Sequence, residues 1–242
     1  MRVMTTIPQH DLHQIPKAVR EIEANGYDGV STLENRHDPF LPLGIAAVNT
    51  QKLELSTGIA IAFSRSPMVV ANIGWDLQAA SGGRFVLGLG SQVKGHNERR
   101  FSVPWSPPAP RLREYANALR AIWTTWKTGE PLNFEGQHYR FTLMTPNFTP
   151  EPMDSPAPPI TVAAVGPAMM KVAGQAYDGV RLHPAAGYVS SLPSAPRPGR
   201  CQRVTRSRVA RLGRCHTASR GATLTCLVQR WPRSLEHGTR FV

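Results

Sequence analysis

The run Ala80-Ser81-Gly82-Gly83-Arg84-Phe85-Val86-Leu87-Gly88-Leu89-Gly90 decides how this chain folds. Two adjacent glycines end a helix, because glycine takes the backbone angles that a helix stop needs at no steric cost. An apolar strand, Arg84 to Gly90, follows at once. Upstream, Ser66 can cap the first free N–H groups of that helix, and Pro67 suits its first turn. The unit is therefore a capped helix, a glycine stop and a strand.

The same grammar repeats in both directions. Strands are expected at Val3 to Ile7, Tyr27 to Leu33, Leu53 to Phe63, Ile160 to Val165 and Gly179 to Leu182. Helices are expected from about Pro16 to Gly26, from Leu41 to Thr50 and from Pro167 to Ala176. Leu112, Tyr115, Leu119, Ile122, Trp123 and Trp126 fall on one helical face, and Gly129 closes that helix. Phe134 to Phe141 reads as a hairpin or flap, Ser91 to Pro110 as an irregular loop, and Pro146 to Pro159 as a linker. Alternating strands and helices predict an α/β fold with a parallel sheet.

Charge divides the chain in two. Of its 28 Lys and Arg residues, 11 are arginines after position 187, where Glu236 is the sole acid. The first 187 residues are left with 17 basic and 15 acidic residues, so +10 of the net charge of +12 belongs to the tail. All three cysteines, Cys201, Cys215 and Cys226, lie there too, at spacings that fit no paired metal site. The tail lacks the interleaved aromatics or motifs of a nucleic-acid binder. No 18-residue apolar run suggests a membrane span, and Met1 to Pro16 lacks a signal-peptide pattern, so a cytoplasmic protein is expected.

Parallel barrels carry chemistry where strands end. After the second strand comes Glu34-Asn35-Arg36-His37-Asp38-Pro39. His37 there reads either as a proton donor and acceptor near neutral pH or as part of a solvated turn. Within the third strand, Thr57 to Phe63 is nearly all small or apolar, which reads either as a strand buried on both faces or as a rest for a cofactor. Gly88-Leu89-Gly90-Ser91 ends the fourth strand, but Val93 stands where a dinucleotide fingerprint needs its third glycine. Gly166-Pro167-Ala168-Met169 joins a strand to a helix, where the amides of Ala168 and Met169 can meet an anion. Lys94, His96, Arg99 and Arg100 form a basic loop, solvated or facing an anionic cofactor tail. His10 and His13 read as a solvated helix entry, and no metal site is expected.

Ala80 to Gly90 resembles the signature of the bacterial luciferase-like oxidoreductases that use flavin or deazaflavin. So do Arg111 to Tyr115 leading into Leu119 to Trp123, the flap Phe134 to Tyr139, and the turn Val162 to Pro167. Glu34 to Pro39 is most similar to the branch using the 8-hydroxy-5-deazaflavin coenzyme, coenzyme F-420. The resemblance spans about Met1 to Pro184. It implies an incomplete TIM-like (β/α) barrel with about six of eight strands. It also implies hydride transfer between a deazaflavin and an organic substrate, with FMN monooxygenation or an inactive truncated homologue as alternatives.

By that resemblance His37 and Glu34 are the catalytic candidates. The ring would rest on a third-strand bulge at Ala60, Ile61, Ala62 and Phe63, with a non-prolyl cis peptide in that stretch, and beside Gly90 and Ser91. Gly166, Pro167, Ala168 and Met169 would take its phosphate. The partner expected is a small-molecule substrate, with a homodimer left open and neither nucleic acid nor membrane involved. Residues 185–242 are expected to be a disordered Arg/Pro/Ser-rich tail read from a shifted frame, outside the fold of residues 1–184.

Overall fold

A computed structural model describes residues 2–182 and 227–228. Six parallel strands run in chain order across one sheet: β1 (Met4–Thr6), β2 (Gly29–Thr32), β3 (Glu54–Thr57), β5 (Phe85–Gly90), β8 (Ile160–Ala163) and β9 (Gly179–Arg181). A short strand β4 (Ala60–Ile61) continues β3 along β5. This is the parallel sheet that the strand–helix alternation predicts and the incomplete barrel that the resemblance implies.

Helices α1 (Ile15–Ala24), α2 (Leu41–Asn49), α3 (Pro67–Ala80), α5 (Pro108–Thr128) and α6 (Pro167–Ala176) form the outer layer, each packed on the next. Alternation along the strands sorts the residues between two faces. Val30, Leu55, Phe85, Leu87, Leu89, Ile160 and Val162 join the core shared with the helices. Ser31, Ser56, Gly88 and Thr161 alternate with them and give the lumen side a polar character.

Helix α3 is capped by the Ser66 side chain, which accepts from the Met68 N–H, and α5 ends at Gly129 with φ +74°. The long segment Ser91 to Pro110 is not wholly irregular. It contains α4 (Lys94–Arg99), held by buried Asn97, whose side-chain amide donates to the carbonyls of Ser91 and Val93. A single buried anchor made a helix where composition argued for none.

Residues 146–159 are likewise more than a linker. Trp75 Nε1 donates to the Glu151 carbonyl and Gln78 to that of Pro156, which straps the segment across α3. The expected hairpin is present as β6 (Phe134–Glu135) and β7 (Arg140–Phe141), paired with each other. The expectations for the tail fall outside the described residues, apart from β10 (Leu227–Val228), which pairs antiparallel with β9.

Glu23 locks α1 to the start of β3. Its carboxylate accepts the backbone N–H groups of Gln51, Lys52 and Leu53, the shortest at 2.6 Å from Lys52. Burial alone would raise its pKa, but those donors, with Arg84 nearby, outweigh burial and hold the carboxyl below its ordinary value of 4.5. A lowered folded-state pKa contributes stability that is complete above about 4.5 and lost as pH falls through the folded value. Glu23→Gln should therefore cost about 1 kcal/mol at pH 7. The difference from the parent in thermal melting should shrink as the pH falls below 4.5. Equal melting at pH 7 would show that the lock carries nothing.

Candidate active site at the strand ends

A one-residue slip shapes the mouth of the barrel. Ser56 pairs with Val86 and Ala60 with Leu89, so Thr57, Gly58 and Ile59 stand opposite only Leu87 and Gly88. The extra residue is a β-bulge. Thr57 bridges the interrupted ladder: its Oγ1 donates to the Gly88 carbonyl and accepts the Gly88 N–H. The non-prolyl cis peptide is Gly58–Ile59, upstream of the Ala60 to Phe63 stretch expected to hold it.

Beyond the bulge the chain is fixed from the end of β2. Glu34 accepts the Ile61 N–H at 2.6 Å and both of its carboxylate oxygens take Arg65 Nη1 at 2.8 Å. Arg65 Nη2 reaches Asp38 at 3.0 Å, and Asp38 in turn accepts the N–H groups of Phe40 and Leu41 at the start of α2. Tyr115 donates from its buried hydroxyl to the Arg65 carbonyl, and burial raises that phenol's pKa well above 10.0. Arg65 was not among the residues picked out from sequence. Nothing near it in the chain marks it, because both of its acidic partners lie about 30 positions earlier.

This network separates the two residues proposed from sequence as catalytic. Glu34 is almost wholly enclosed, with a side chain 7% exposed, and its oxygens are committed. That suits it to positioning the bulge. His37 is exposed at the barrel mouth and has no hydrogen bond among the described residues, and so presents a free imidazole.

The four residues expected under the ring, Ala60, Ile61, Ala62 and Phe63, are all buried. The guanidinium of Arg111 covers the Phe63 face at 4.3 Å. Half-buried Gly58, Ile59, Ser91 and Ala163 lie closer to the open side. Gly90 is needed here because a Cβ would run into the Ile59 side chain at 2.6 Å.

Gly166 precedes α6 and no side chain caps that helix. Its carbonyl receives the Met170 N–H, so the amides of Ala168 and Met169 precede the first helical bond and have no acceptor within the helix. Pro167 sets the first turn. No cluster of three His, Cys, Asp or Glu residues that could hold a metal occurs among the described residues. No helix there is long and apolar enough to cross a membrane.

The flap stands beside this mouth. Glu114 on α5 accepts the N–H groups of Gln137, His138 and Tyr139, and Arg111 donates to the Tyr139 hydroxyl at 3.0 Å. Burial raises the Tyr139 phenol's pKa, and the Arg111 hydrogen bond and charge oppose it.

A family model described as luciferase-like monooxygenase matches residues 2–191. An uncharacterized protein of Mycobacterium tuberculosis is 53% identical over 175 residues, covering 72% of this chain and 52% of that protein. The 5,10-methylenetetrahydromethanopterin reductase of Archaeoglobus fulgidus is 26% identical over 179 residues, 73% of this chain and 51% of the reductase. The chain thus spans about half the length of the curated relatives it matches. The coenzyme F-420-dependent tetrahydromethanopterin reductase of Methanopyrus kandleri shares the fold, with a TM-score of 0.58 at 24% identity over 75% of this chain and 56% of that one.

Removing Glu34 leaves Arg65 with Asp38 alone and the Ile61 N–H without its acceptor. Glu34→Ala should cost about 3 kcal/mol, as breaking a buried pair does. His37→Ala should change stability by less than about 0.5 kcal/mol. Chemical denaturation of the two variants checks the contrast, and similar losses would refute the division of roles.

Proposed function

We propose, from the premise that the chain belongs to the luciferase-like monooxygenase family, that it is an oxidoreductase transferring a hydride between a deazaflavin coenzyme and a small organic substrate. The observation that carries this reading is the state of the strand-two loop. Glu34 and Asp38 are occupied by Arg65, while His37 between them is exposed at the mouth with its imidazole free.

The residues present fit such a coenzyme. Gly58, Ile59, Gly90, Ser91 and Ala163 make a floor of small and apolar groups, with Ala60, Ile61, Ala62 and Phe63 supporting it from beneath. At Gly166 an added Cβ would meet nothing within 4 Å, so the approach to the Ala168 and Met169 amides is open. These amides, at the positive end of α6, suit a phosphate. The deazaflavin, when bound, supplies a two-electron hydride and reacts poorly with oxygen.

What the protein adds is binding, orientation and a proton. A carbonyl that gains hydride on carbon needs a proton on oxygen; we assign its delivery to the exposed His37, which in the reverse direction accepts that proton. Glu34 acts through the backbone, holding the Ile61 N–H and Arg65 so that the floor keeps its shape. We place this chemistry in residues 1–184 and assign no part of it to residues 185–242.

Coenzyme preference tests the reading directly. Titrating coenzyme F-420 and FMN separately and following fluorescence should give the tighter binding for the deazaflavin, by at least about tenfold, or about 1.4 kcal/mol. A preference for FMN would overturn the deazaflavin assignment in favour of monooxygenation.

His37→Ala should slow turnover roughly 10²–10⁴-fold while leaving the melting temperature in place. Equal rates of coenzyme reduction would return His37 to a solvated turn.

A further inference from the structure

Arg181 ends β9 at the level of Ala163, at the mouth of the barrel. Its side chain runs down into the lumen, where Nε donates to Thr161 Oγ1 at 2.9 Å. The residue is 4% exposed, yet among the described residues Nη1 and Nη2 have no hydrogen-bond partner. The lumen is shaped to admit this side chain. A Cβ on Gly88 would come within 2.7 Å of Nε, and one on Gly58 within 3.3 Å of Nη1. Ser31 Oγ faces the same Gly58 position and is also buried without a partner.

Two unpartnered groups on different strands therefore converge on one spot. Burial lowers the guanidinium's pKa to about 10, with the charge of Glu54 opposing, so it remains charged at neutral pH. Glu54 itself is paired with Arg2 at 2.8 Å and does not reach the guanidinium by any hydrogen bond in the structure. A charged, buried donor fork without an acceptor is costly, and native proteins rarely keep one unused.

We propose that Arg181 and Ser31 form a carboxylate-binding site inside the barrel, one residue layer beneath the strand ends. The planar fork of Nη1 and Nη2 matches the two oxygens of a carboxylate, and the Ser31 hydroxyl adds a third donor. A carboxylate neutralises the one guanidinium. A phosphate dianion would bring a second negative charge against that one guanidinium. The ligand class is thus a small monocarboxylic acid, its remaining atoms directed toward the mouth. That direction makes the acid the substrate only if the hydride-transfer reading above holds; the binding itself does not depend on it.

The test uses the full chain without coenzyme and acetate as the probe, so it succeeds or fails independently of coenzyme preference. Acetate should raise the melting temperature with saturation, and acetamide at equal concentration should not. Ser31→Ala removes one donor with little change in volume and should weaken acetate binding about five- to tenfold. Arg181→Gln should abolish it. No saturable effect of acetate would overturn the proposal. So would equal protection by acetamide or by chloride at matched ionic strength, or undiminished acetate binding in Ser31→Ala.

Discussion

Everything at the mouth of this barrel hangs on one extra residue. The slip between Ser56–Val86 and Ala60–Leu89 swings the backbone out of the β3 ladder and presents Gly58 and Ile59 to the lumen. A bulge gives up ladder bonds, so it persists only where other groups replace them. Thr57 supplies two of these through its hydroxyl, and Glu34 supplies the third through the Ile61 N–H. Arg65 then fastens Glu34 and Asp38, and so carries the constraint to the start of α2. The proposed coenzyme floor is the upper surface of that arrangement.

The same logic explains why the lumen is polar. A closed barrel ordinarily fills its interior with layers of bulky branched side chains. Here the inward positions include Ser31, Ser56, Gly88 and Thr161, and one arginine lies across the space that larger groups would occupy. Gly88 and Gly58 leave open the space that the Arg181 side chain and the bulge backbone take up.

Local features were legible and distant ones were not. Ser66-Pro67 and Gly82-Gly83 mark their helix ends because each acts on its own few N–H and carbonyl groups. The apolar stripe of α5 is legible for the same reason of period. The helix α4 escaped because its stability comes from the Asn97 side chain turned back onto Ser91 and Val93. Strand three broke in two because a bulge depends on register with β5, which no window of β3 contains. At the site, His37 and the Gly166 turn could be picked out by residue type. Arg65 and Arg181 could not, since Glu34 and Ser31, the groups beside which they matter, lie 31 and 150 positions earlier in the chain.

The flap is fastened in a different way from the rest of the molecule. Among the described residues its two strands pair only with each other; its tip is held by the Glu114 carboxylate and by Arg111 from a single turn of α5, and Tyr139 and Phe141 pack against the core. No bond of the parallel sheet passes through it. The hairpin can therefore lengthen, shorten or change its outward residues without disturbing the register of any barrel strand, provided that those two α5 side chains keep their hold. A scaffold with such a detachable wall beside its mouth can alter what it admits while its core stays as it is.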